Sequence, residues 1–286
     1  MSENQLSIDG FLPPKMALKA ADAGVSKANM ATVPMFMLAV LAGAFIALGA
    51  IFATTATAGS GTLPFGVAKI IGGLVFSLGL ILVIVAGAEL FTGNNLIVVA
   101  WASGKVSTMA LLRNWGIVYV GNFIGAILTA FGLFFSRQYL FGGGLVGTNA
   151  LNIAHAKVNL GFFQAIMLGI FCNALVCLAV WLCMSARTTT DKILAILFPI
   201  TAFVAAGFEH SIANMYFIPI GLLIKDGADP SFWLQTGLNP TDYTDLTWVS
   251  FLISNLFPVT IGNIIGGAGF VGLVYWAIYL RNAEDV

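Results

Sequence analysis

Six apolar stretches dominate this chain, and two of them are too long for one crossing of a lipid bilayer. They run over about 33–55, 66–101, 108–135, 160–184, 190–224 and 248–280, whereas roughly 20 helical residues span the hydrocarbon core. The second and fifth, the overlong ones, are each cut by the same polar motif. Ala86-Gly87-Ala88-Glu89-Leu90 runs on to Asn94, and about 120 residues later Ala206-Gly207-Phe208-Glu209-His210 runs on to Asn214. A carboxylate and an amide at that depth are costly, so they mark a site. Each overlong stretch therefore reads as two half-helices around a short irregular loop, which must be buried in protein or line a cavity.

Composition agrees. Hydrophobic residues make up 59% and charged residues 8% of 286, against about 25% charged in a water-soluble domain, and the mean hydropathy is +0.97. The surface must face lipid. Thirty-two glycines suit close helix–helix packing. A formal net charge of zero argues against nucleic acid as a partner. Cys172, Cys177 and Cys183 have no metal-ligand or CxxC spacing and read as small buried apolar residues. The polar start, with its lysines, lacks the apolar core of a cleavable signal peptide.

The third and sixth stretches repeat as well: Asn114 then Gly121-Asn122-Phe123-Ile124-Gly125, and Asn255 then Gly262-Asn263-Ile264-Ile265-Gly266. The first and fourth match more weakly, Ala39-Val40-Leu41 with Gly43 and Phe45 against Ala165-Ile166-Met167 with Gly169 and Phe171. The unit is three crossings long, and an odd number inverts the second copy, giving an inverted repeat. This predicts an all-α integral membrane protein with broken second and fifth helices. It divides into an N-terminal segment (1–32), a channel domain (33–280, with repeats at about 33–137 and 158–280) and a tail (281–286). Lys15, Lys19, Lys27, Lys105, Arg113, Arg187, Lys192 and Arg281 would share one side, and Lys69, Arg137, Lys157 and Lys225 the other. The excess of positive charge places both termini in the cytoplasm. From Phe11 to Asn29 a short helix is expected, with Pro13 and Pro14 at its start and Lys15, Lys19 and Asp22 on a polar face. It is either a surface anchor or a movable cap.

Of the two histidines, only His210 lies at bilayer depth, beside a break, where an imidazole can hold or release a proton. Thr92 could offer it a hydroxyl. Glu89 and Glu209 are equivalent, and are either proton or cation ligands or, the preferred reading, acceptors for amides freed at the breaks. New helices beginning near Asn94 and Asn214 would aim free N–H groups and positive dipole ends at the centre, which then attracts anions. Asn173 and Asn263 are further polar candidates, or interhelical glue. Phe76, Leu80, Leu90, Phe91, Val176 and Phe203 surround this point. Any that narrow a pore would exclude hydrated metal ions by dewetting.

These residues resemble the formate/nitrite transporter family over nearly the whole chain, from Phe11-Leu12-Pro13-Pro14 to Val274-Tyr275-Trp276. The specific segments are Gly61-Thr62-Leu63-Pro64-Phe65-Gly66, Ala86 to Thr92, Gly207 to Met215 and Pro258-Val259-Thr260-Ile261-Gly262-Asn263. The resemblance implies an aquaporin-like six-helix protomer in a homopentamer of the bacterial-type inner membrane, one pore per protomer and no cofactor. It implies a central site of Thr92 and His210 with Glu209, Asn173 and Asn214 nearby. Leu90 and Phe203 would line one constriction, Phe76, Leu80, Phe91 and Val176 the rest of the path. Lys157 would draw anions to an entrance, and the N-terminal helix would close the cytoplasmic mouth in acid. The expected substrate is formate, with nitrite and acetate as further candidates. Nitrite and hydrosulfide branches share the central motif, and a water or ammonia channel is the rival outside the anions. An intramembrane enzyme would need a nucleophile with a base, or a metal set, and no HExxH, GxSxG or cysteine–histidine pattern is present.

Overall fold

The computed structural model describes residues 9–281, so the expected tail lies outside the described residues except for Arg281. Among the described residues the chain is helices and turns, with no strand. The helices are α1 (Pro13–Ala28), α2 (Thr32–Ala56), α3 (Phe65–Gly87), α4 (91–102), α5 (Thr108–Phe135), α6 (Leu145–Val158), α7 (Phe162–Ser185), α8 (Thr189–Ala205), α9 (Ser211–Gly227), α10 (Pro230–Thr236) and α11 (Ser250–Tyr279). α2, α3, α5, α7 and α11 are each long and apolar enough to cross a membrane. The fifth apolar stretch is α8 followed by α9, each of 17 residues. The second is less even than expected. α3 has 23 residues and ends in a π-turn over Val83–Gly87, and the short α4 contains a 3₁₀ turn at Asn95–Ile97.

Both breaks are built alike. Gly87 and Gly207 sit in the left-handed region, at φ +82° and +73°, where a side chain would be strained. The next amides turn back five residues, Ala88 N–H to the Val83 carbonyl at 2.9 Å and Phe208 N–H to Phe203 at 3.0 Å, closing Schellman-type ends. Extended backbone follows, and the chain re-enters helix at Phe91 and Ser211. That is three residues before the expected restarts near Asn94 and Asn214, because Leu90 and His210, not the asparagines, occupy the cap positions.

Nothing in hydrocarbon can satisfy the freed backbone, so neighbouring helices do: the N–H groups of Glu89 and Glu209 donate to the carbonyls of Leu38 and Leu168 at 3.2 and 3.3 Å, and side chains take the rest. Asn122 on α5 donates to the carbonyls of Ala39 (2.7 Å) and Glu89 (2.9 Å) and accepts from Phe91 N–H (2.9 Å). Asn263 on α11 repeats this with Gly169, Glu209 and Ser211, each at 2.9 Å. The pairing of Ala39 with Gly169 fixes the register of the first and fourth crossings. It lies four residues from the expected alignment, one helical turn, since the apolar similarity recurs with each turn.

The motif glycines let backbones touch. A Cβ on Gly125 or Gly266 would fall on the carbonyls of Val40 and Ile170, and one on Gly262 on that of Ile166, well inside van der Waals contact. α1 packs on protein through Met16, Ala17, Ala20, Ala21, Gly24 and Ala28, covering Ile97, Val99, Ala100 and Trp181. That face of α1 is thus packed on protein, while Leu18 stays exposed. On its polar side Lys19 donates to the Met184 carbonyl at 2.7 Å. Burial first, then the charges of Arg187, Lys192 and Lys15, lowers that lysine's pKa.

Gly266→Ala should force α7 and α11 apart and cost about 1–3 kcal/mol, as overpacking does. Gly132→Ala, on an open face of α5, should be neutral or slightly stabilising. Thermal unfolding in detergent compares the two, and equal melting temperatures would contradict the packing assignment.

Candidate functional site

Each repeat carries one buried polar cluster, and the two correspond residue for residue in their hydrogen bonds. In the first, Lys27 Nζ donates to Glu89 Oε1 at 2.5 Å and Asn94 donates to Glu89 Oε2 (2.7 Å) and to Asn114 Oδ1 (2.9 Å). Asn114 in turn donates to the Lys27 carbonyl at 3.1 Å. In the second, Lys157 donates to Glu209 Oε1 at 2.7 Å, Asn214 to Glu209 Oε2 (2.6 Å) and Asn255 Oδ1 (2.7 Å), and Asn255 to the Lys157 carbonyl at 2.9 Å. Both carboxylates are buried, at 5% and 4% exposure. Their partners are lysine and asparagine side chains, so the expectation that they accept freed backbone amides is corrected. Asn122 and Asn263 fill that role. The correspondence reaches one element further than the three crossings, since Lys27 and Lys157 end α1 and α6. Matching Lys27-Ala28-Asn29-Met30 to Lys157-Val158-Asn159-Leu160 would have found it.

The copies differ where the breaks meet. Counted from the matched glutamates, His210 holds the place of Leu90. Its Nδ1 accepts from the N–H of Ala213 at 3.0 Å, capping α9, and its Nε2 lies 2.9 Å from Thr92 Oγ1. A nitrogen that accepts from a backbone amide carries no proton, so the neutral ring bears its hydrogen on Nε2 and points it at Thr92. Phe203 stacks on the imidazole, centroids 5.9 Å apart and 24° between planes, and Phe76 meets Phe203 edge-on at 5.7 Å. His210 is 3% and Thr92 0% exposed.

The other predicted residues divide. Asn173 gives its amide to the Asn95 side chain (2.8 Å) and to the carbonyls of Asn263 (2.7 Å) and Thr92 (3.3 Å), while Cys177 Sγ reaches the same Thr92 carbonyl at 3.3 Å. With Asn95 they hold the Thr92 loop from behind. Sequence reading passed over Asn95, which carries no repeat signal. The N–H groups of Phe91, Ser211 and Ala213 are taken by side chains, so these amides are not free as expected. Phe91 packs edge-on against Tyr119 (4.9 Å) and Trp115 (6.0 Å).

A cavity of about 430 Å³ opens from one side and ends at His210. Phe76, Phe203, Lys157, Glu209 and Asn214 line it, whereas Leu80, Leu90, Phe91, Thr92 and Val176 lie outside its lining and are buried to 3% exposure or less. Among the described residues no three His, Cys, Asp or Glu side chains converge as a metal site would require.

Residues 14–277 match the family described as formate/nitrite transporter. The chain is 50% identical over 276 residues to the formate channel FocA of Escherichia coli, covering 96% of this chain and 97% of that one. It is 43% identical over 273 residues to FocA of Haemophilus influenzae, covering 95% and 96%. A solved pentameric formate channel with formate bound superimposes with a TM-score of 0.84 at 49% identity, covering 87% of this chain and 98% of that one. A second, an FNT family ion channel, gives 0.76 at 30% identity over 92% and 98%. The two broken crossings, their paired asparagine clamps and these matches together make the chain a multi-pass membrane protein of the formate/nitrite transporter family.

Proposed function

We propose that the chain forms a homopentamer in a bacterial-type inner membrane, with both termini in the cytoplasm and a separate path for formate through each protomer between Thr92 and His210. Residues 33–280 form the channel domain and residues 1–32 its cytoplasmic N-terminal segment. The observation that carries this reading is the bond between Thr92 Oγ1 and His210 Nε2, which sets an N–H and a hydroxyl, each able to donate to an anion, beside the inner end of a cavity. The relatives' substrate and the pentameric relative support it. Nitrite and acetate, small monovalent anions of similar charge, would share the route.

The chemistry follows from the tautomer. A carboxylate moving past Phe76 and Phe203 loses water, which costs several kcal/mol for an isolated ion. His210 Nε2–H and the Thr92 hydroxyl replace two of the lost hydrogen bonds. A proton added to Nδ1 would break the α9 cap and put a cation at the positive end of that helix. His210 therefore works as a neutral donor, and a proton that accompanies formate comes from solvent rather than from the ring. Leu90, Phe91 and Val176 close the far side against hydrated ions, and α1 covers it.

Purified protein in proteoliposomes should take up labelled formate, with nitrite and acetate competing. His210→Phe and Thr92→Val should each lower the rate about tenfold or more, the loss of one hydrogen bond to a charged group being worth about 1.5–3 kcal/mol. Wild-type rates in both variants would overturn the central site. Removing the other histidine with His155→Gln leaves one imidazole. Its ¹⁵N resonances should show the Nε2–H tautomer from pH 5 to 8, and an imidazolium pattern in that range would overturn the neutral-donor role.

A further inference from the structure

We propose that Lys69 on α3, rather than Lys157, is the cation that draws anions into the cavity, and that Lys157 is a positioning residue whose charge is committed to Glu209. The inference rests on reading the cavity as the outer part of a formate path. The charged side chains lining it are Lys69, Lys157 and Glu209, one net positive charge. Lys157 and Glu209 form an ion pair at 2.7 Å with side chains 16% and 6% exposed. From several ångströms away such a pair presents a dipole, and the attraction of a dipole fades faster with distance than that of a single charge. Asn214 and Asn255 grip the same carboxylate, so releasing Lys157 to meet an incoming anion would leave a buried carboxylate without its counter-ion.

Lys69 is placed differently. It is exposed, it stands on the cavity wall, and among the described residues no carboxylate lies within ion-pair distance of it. Its ammonium sits 5.4 Å from the Phe65 ring, a weak contact that leaves the charge facing solvent. Subtracting the bound pair leaves the field at the mouth as that of Lys69. A single cation beside a low-dielectric cleft raises the local concentration of anions, and salt screens the effect over about 10 Å at 0.1 M.

The test is uptake of formate by the full chain in proteoliposomes, as initial rate against formate concentration at low (about 0.02 M) and high (about 0.3 M) ionic strength. Lys69→Met should raise the half-saturating concentration about 3- to 10-fold at low ionic strength, with little difference from wild type at high ionic strength. Lys69→Arg should behave as wild type. Lys157→Met should instead lower the maximal rate by a similar factor at both ionic strengths. The proposal is overturned if Lys69→Met keeps the wild-type half-saturation at low ionic strength, or if the salt-dependent shift belongs to Lys157→Met. Failure of wild-type protein to take up formate would sink the functional reading itself, a result distinct from either of these.

Discussion

The fold depends on satisfying backbone that two helices abandon inside an apolar protein. Three hydrogen bonds from one asparagine per repeat meet the central part of that task. Asn122 and Asn263 each use both amide hydrogens and the carbonyl oxygen on main chain from two different crossings. In water a missing bond of this kind would be replaced by solvent. At bilayer depth it would remain unmade, at several kcal/mol for each group. The glycines flanking each asparagine, Gly121 and Gly125 in one copy and Gly262 and Gly266 in the other, bring the neighbouring backbone within reach. The sequence pattern GNxxG is thus a packing surface with its own hydrogen-bonding clamp in the middle.

The lysine–glutamate–asparagine clusters act on a second level. Each ties the helix that precedes a repeat to the loop that interrupts it, through a carboxylate that neither solvent nor lipid could stabilise alone. The price in buried charge is offset because every oxygen of Glu209 has a donor, from Lys157, Asn214 and Asn255. Removal of any one leaves the rest of the network unpaired, so the cluster behaves as a unit rather than as separate bonds. It also explains the position of α1. That helix is the counterpart of α6, held by the same chemistry at its last turn, and its cover over Ile97 and Ala100 is part of the repeat.

Much of this was legible in the residues. Length and hydropathy placed the five long crossings within a few residues, since a 20-residue apolar run admits few other structures. The breaks were visible because Glu89 and Glu209 interrupt the two overlong stretches. Of what escaped, three misses have reasons visible in the chain. The register of the first and fourth crossings slipped by a turn because alanine, valine and glycine recur along every face of such helices. The helix restarts were placed late because an asparagine is a common cap, whereas here Leu90 and His210 take the cap positions and the asparagines face inward to the glutamates. Lys27 was passed over because the repeat was read over three crossings only, which left out the preceding helix whose Lys27-Ala28-Asn29-Met30 matches Lys157-Val158-Asn159-Leu160.

A scaffold with matching halves favours neither direction of passage, so a difference between its two sides must come from residues that break the match. The clusters around Glu89 and Glu209 are alike, as are the clamps of Asn122 and Asn263, and none of them distinguishes one side. The substitution that does is His210 at the place of Leu90. It puts the polar ring on the half whose cavity is open and the aliphatic side chain on the half that α1 covers. The imidazole can occupy that place because its Nδ1 finds the amide of Ala213 and its Nε2 finds Thr92, so no polar atom of the ring is left unpaired in a dry interior. Leucine needs no partners and seals. On the reading proposed here, one exchange of an apolar for a polar residue at matched cap positions turns a nearly symmetric frame into a path with a wet approach, a two-donor centre and a dry stop.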